Sequence, residues 1–129
     1  MLPADAMPAK ARAPVLAALQ ALASGNPQAK AAAVSALAAN VPTPGSVQIT
    51  IGLLAALGAD AQALKLAADH PELPGTRAAL MRPALAAARA DPAFPAVAEK
   101  LGLTRYWKTT GIKPDFCKAA DAPAYCKTL

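Results

Sequence analysis

The chain has 129 residues, 55% of them hydrophobic but only 4% aromatic, and a formal charge of +5. That length suits one domain, and the charge is a solubility-scale excess that carries no nucleic-acid signature by itself. A core so poor in rings must form by close approach of helices bearing alanine, leucine and valine. Alanine loses no rotamer entropy in a helix. Thirteen prolines break helix interiors but are tolerated in first turns. Composition therefore predicts an all-α protein of many short helices.

In chain order, residues 1–12 read as a flexible lead-in. A first helix starts at Pro14, with Val15, Leu16, Leu19 and Leu22 on one face, and Ser24-Gly25-Asn26-Pro27 stops it. A second helix runs from Pro27 to Asn40. Val41-Pro42-Thr43-Pro44-Gly45 is a firm break, with Thr43 expected to cap a third helix and Pro44 to open it. Ile49-Thr50-Ile51 alternates like a strand, but Gly52-Leu-Leu-Ala-Ala-Leu-Gly58 reads as helix ending at Gly58. Asp60 is expected to cap a fourth helix reaching Asp69. A fifth opens at Thr76, breaks near Met81–Pro83 and resumes to Ala90. Asp91-Pro92 caps a sixth, carrying Phe94, Val97 and Leu101. Gly102 ends it, and a last helix from Leu103 to Thr110 presents Tyr106 and Trp107. The tail, 111–129, reads as irregular.

Short helices joined by tight turns become antiparallel neighbours, so 13–110 is expected to form stacked helical hairpins. The charge distribution adds a second feature. From Ala13 to Ala59 the only charged side chain is Lys30, which suggests either a surface kept polar by Ser, Asn and Gln, or a binding groove, an oligomer contact or a face covered by other parts of a larger protein. The most apolar run, Ile49 to Ala59, is about half the roughly 20 residues that a membrane span needs. The N-terminus lacks the basic-then-apolar order of a signal peptide. Two readings stay open: a cytosolic protein, or part of a longer chain whose targeting segment lies elsewhere.

Gly58-Ala-Asp-Ala-Gln-Ala63 joins two helices with glycine at the turn and alanine five residues later. Arg82-Pro-Ala-Leu-Ala-Ala-Ala-Arg-Ala-Asp-Pro-Ala-Phe94, Leu101-Gly-Leu-Thr-Arg-Tyr-Trp107 and Thr110-Gly-Ile-Lys-Pro-Asp-Phe-Cys117 follow it. Across about residues 46–117 this resembles the C-terminal region of bacterial tetratricopeptide-repeat regulatory proteins. Alanine fills many positions where that repeat carries larger aromatics, and no regulatory domain is read within these 129 residues. The resemblance implies a right-handed α-solenoid of antiparallel hairpins. It also implies a non-catalytic module for protein interaction or sensing, as part of a larger bacterial regulator.

Cys117 and Cys126 share one proline-containing tail with no competing cysteine. The expected state is a disulfide, which points to the periplasm or cell envelope; reduced thiols would point to the cytoplasm. Zinc is not expected, because His70 is the only other soft ligand and a closed site needs four. His70 also lacks the nucleophile and orienting carboxylate that a general base requires. No catalytic, cofactor-binding or metal-binding constellation stands out, so the chain is read as no enzyme.

Phe94, Tyr106, Trp107 and Phe116 are expected to cap the array, with Trp107 on Phe94, Leu101 and Phe116, or else to line a groove. Arg105, Lys108, Lys113, Lys118 and Lys127 make the tail basic. Asp115 and Asp121 dilute that patch, leaving a small nucleic-acid-associated protein as the alternative. The expected partner is a protein or peptide, or a second copy of the chain.

Overall fold

The computed structural model describes residues 9–129, and among them it contains helices and turns but no strand. The protein is all-α. Most of the expected lead-in lies outside the described residues, but its end is already helical: α1 runs from Ala9 to Ser24. Pro14 therefore sits inside α1, where it removes one backbone bond, and does not open it. Gly25 and Asn26 separate α1 from α2, Pro27–Ala39. The Asn26 side-chain oxygen accepts from the N–H groups of Gln28 and Ala29 at 2.8 and 3.0 Å, satisfying donors that a helix start leaves unpaired.

The third helix, α3 (Val47–Ala56), begins later than Thr43–Pro44. Pro44-Gly45-Ser46 is a turn, closed by Ser46 N–H donating to the Thr43 carbonyl at 3.0 Å. Ser46 Oγ in turn accepts from Thr43 N–H at 2.9 Å. Thr43 thus anchors the turn that leads into the helix, and the alternation at Ile49-Thr50-Ile51 is helical. At the far end, Ala59 N–H donates to Leu54 O at 2.8 Å and Gly58 N–H to Ala55 O at 2.9 Å. This paired closure needs the left-handed φ of +82° that Gly58 supplies.

The same closure corrects the expected cap of α4, Asp60–Asp69. Ala59 takes the N-cap place and Asp60 becomes the first helical residue, its carboxylate beside the positive helix end. Thr76–Leu80 forms α5. The expected break at Met81–Pro83 follows, then a 3₁₀ turn at Pro83–Leu85 and α6, Ala86–Arg89. Asp91 caps the turn before α7 and not the helix itself, its Oδ1 accepting from Ala93 N–H at 2.8 Å. The last helices are α7, Phe94–Lys100, and α8, Leu103–Thr110.

Helix α3 is the centre of the packing. Val47, Ile51 and Leu54 are wholly buried, and the helix touches α1, α2, α4 and α5. Each such aliphatic side chain contributes about 1.5–3 kcal/mol on burial. The α1–α2 and α3–α4 hairpins pack side by side, whereas α4 also touches α6 and α7. The C-terminal helices therefore fold back onto the second hairpin and carry the tail with them. No described helix is long and apolar enough to cross a membrane.

Candidate functional site

The tail is built from two copies of one small device. Pro114-Asp-Phe-Cys-Lys118 and Pro123-Ala-Tyr-Cys-Lys127 share the order proline, any residue, aromatic, cysteine, lysine. Each proline holds an extended conformation, ψ 156° and 158°, and each leads into a 3₁₀ turn, Asp115–Cys117 and Ala124–Thr128. In each turn the cysteine N–H donates to the proline carbonyl at 3.0 Å. Twin turns present twin sulfurs, and Cys117 and Cys126 meet at a disulfide distance of 2.01 Å.

The residue before each cysteine enters one ring cluster. Phe94 lies edge-on to Tyr125 at 5.0 Å and to Phe116 at 6.1 Å. Trp107 lies edge-on to Phe116 at 5.8 Å and to Tyr125 at 6.2 Å. The four rings close a circuit with Phe94 and Trp107 at opposite corners. Each edge-to-face pair adds about 0.5–1.5 kcal/mol beyond its burial. The Tyr125 hydroxyl pairs with Thr104 Oγ1 at 2.6 Å. Burial pushes the Tyr125 phenol up from its ordinary value, and the Thr104 hydrogen bond partly opposes that.

Arg89 seals the cluster from α6. It is buried, its guanidinium carbon lies 4.8 Å from the Phe116 ring centroid, and its Nη1 donates to Leu80 O at 2.8 Å and Arg82 O at 2.9 Å. These carbonyls belong to the broken end of α5, where the Arg82 carbonyl also accepts from Leu85 N–H at 3.0 Å. Burial lowers the guanidinium pKa from its usual value.

Of the expected aromatic set, Phe94, Trp107 and Phe116 come together and Tyr106 does not. Tyr106 is 55% exposed, against 7% for its neighbour Trp107. It lines a cleft of about 470 Å³ between α5, α8 and the segment 112–118, within the ~300–1,000 Å³ typical of ligand sites. Arg77, Met81, Leu103 and Ile112 share the lining, and Lys113, Asp115 and Lys118 lie at it too. Ile112 is 59% exposed. Arg77 is held in place, its Nε donating to Leu101 O at 2.8 Å and its Nη1 to Pro71 O at 3.0 Å.

Elsewhere, His70 Nδ1 stands 3.4 Å from Glu72 Oε1, outside the cleft lining. The uncharged N-terminal region exposes Leu16, Leu19, Val41 and Ile49. Sequence reasoning missed Tyr125, Arg89 and Arg77 as parts of this end of the molecule. The doubled Pro-x-aromatic-Cys-Lys pattern was the available signal for Tyr125. A comparison with protein-family models, with curated proteins and with solved structures finds no match to this chain.

Proposed function

We propose that this chain is a non-catalytic protein-interaction module whose binding face is the cleft beside the aromatic cap. The observation that carries the reading is the division of labour between two adjacent residues: Trp107 is spent on the buried ring circuit, while Tyr106 and Ile112 stay exposed at a concave, mainly apolar surface. Aromatic and aliphatic side chains held in water on a firm frame are the usual anchors of protein recognition. In this reading the α1–α4 hairpins form a tetratricopeptide-like stack, the C-terminal assembly closes it, and the module serves a larger bacterial regulator. The Cys117–Cys126 pair is oxidised, in the periplasm or cell envelope.

The test compares two double variants with retained helical content. Tyr106→Ala/Ile112→Asp abolishes co-purification of a discrete partner, and Leu16→Asp/Leu19→Asp leaves it intact. The opposite pattern would transfer the function to the α1 face. A thiol count on unreduced protein checks the compartment, and two free thiols would refute the envelope assignment. One observation favours a second reading, single-stranded nucleic acid: exposed Tyr106 lies among Arg105, Lys108 and Lys113. Binding of an oligonucleotide that weakens steeply with salt would support it.

A further inference from the structure

We infer that the occupant of this cleft is an acidic segment of a partner protein that inserts one large apolar side chain against Tyr106, Met81 and Ile112. The inference rests on the cleft being the binding face and adds the chemistry of what it binds. Three cations, Arg77, Lys113 and Lys118, stand at the lining against a single anion, Asp115. They differ in how free they are. Lys118 shares its charge with Asp115 at 3.6 Å. Arg77 keeps its charge, but two backbone carbonyls fix its position, so little order is lost when a carboxylate arrives. Lys113 makes no ion pair or hydrogen bond among the described residues. Arg105 and Lys108 flank Tyr106 on α8 and extend the positive field.

The apolar part of the lining sets the other half of the recognition. Met81 adapts to irregular shapes, and Tyr106 and Ile112 offer area that water now covers. A polyanion without apolar groups would leave that area wet and would bring its charges onto Asp115. A cationic segment would face the excess of fixed positive charge. One acidic stretch built around a single Phe or Leu satisfies both halves.

The wall formed by 112–118 is preformed, because Phe116 is locked among the rings and Cys117 is tied to Cys126.

The experiment titrates the intact protein with capped pentapeptides, following heat release and the emission of Trp107, the only tryptophan. The probes are Glu-Asp-Phe-Asp-Glu, the same peptide with Ala for Phe, Lys-Lys-Phe-Lys-Lys, and oligothymidylate. The expected result is binding of the first alone. Its affinity should fall about tenfold between low salt and half-molar salt, because exposed charges are screened. It should fall about fivefold in Lys113→Glu, whose exposed position leaves the fold intact. Equal or tighter binding of the lysine peptide would overturn the acidic partner and keep the cleft as the binding face. Oligothymidylate binding, with no peptide bound, would overturn both. Equal binding of the Ala and Phe peptides would overturn the apolar anchor.

Discussion

Reducing the Cys117–Cys126 bond should cost this protein a definite and modest amount of stability without dissolving its helices. The bond closes a loop of eight intervening residues. On the loop-entropy relation such a closure stabilises by about 2.5 kcal/mol. With an unfolding entropy near 2.1 cal/mol/K per residue, that corresponds to a fall in Tm of about 9 °C for a chain of this length. The helices should survive because the tail has a second attachment. Phe116 and Tyr125 each touch both Phe94 and Trp107, and Tyr125 is also hydrogen-bonded to Thr104. Thermal melts followed by far-UV circular dichroism, with and without a phosphine reductant, measure the change directly. The expected outcome is one cooperative transition in each state, the lower Tm in the reduced protein, and unchanged helical signal at 25 °C. A shift under about 2 °C would mean that the tail stands outside the cooperative fold. Loss of helix at 25 °C would mean that the rings hold little and the bond carries the end of the molecule alone.

Three further outcomes follow from single residues. Arg89→Met roughly keeps the volume but takes from the buried Leu80 carbonyl its guanidinium donor, while the Arg82 carbonyl keeps the Leu85 N–H, so urea melts should show a loss of about 1–3 kcal/mol; a loss under ~0.5 kcal/mol would contradict the sealing role. In a Tyr106→Phe background Tyr125 is the only phenol, and its tyrosinate absorbance should titrate above the ordinary value of about 10. Because the folded form holds its proton longer than the unfolded chain, this contribution is fully present below pH ~10 and is lost as pH rises through the folded value. Titration at or below pH 10 would refute the burial argument. Gly75→Ala forces a side chain to φ +95° and brings its Cβ within 2.9 Å of Gln48 Nε2. The expected destabilisation is at least about 1–2 kcal/mol, and an unchanged denaturant midpoint would show that α5 starts differently.

The breaks in this chain were readable because proline and glycine act locally. The stops at Gly25, Gly58, the 81–83 break and Gly102 all lie where the residue types place them. The caps were less readable, because side chains compete with backbone solutions. Asp60 is a good N-cap residue, but the closure at Gly58–Ala59 had already used the cap position. Thr43 and Ser46 likewise pair with each other in a turn before α3. Arg89 escaped notice because a charged side chain is rarely expected in a core, and only the broken end of α5 supplies the carbonyls that make its burial tolerable. Of the cleft, only a groove at Tyr106, Trp107 and Phe116 could be read, as the alternative to a cap, and its other walls could not. Arg77, Tyr106 and Ile112 belong to different elements, and what joins them is the fold-back of α7, α8 and the tail onto α4 and α5. Tyr106 and Trp107 illustrate the same point, since helical rotation alone sends one outward and the other into the rings.

The most direct test of the account is to map where the Glu-Asp-Phe-Asp-Glu peptide meets the oxidised protein by amide chemical-shift perturbation. The account predicts shifts concentrated at Arg77, Met81, Tyr106, Ile112 and Lys113, with α1 and α2 unchanged. Shifts concentrated at Leu16, Leu19 and the alanine face of α2, with the cleft silent, would contradict it.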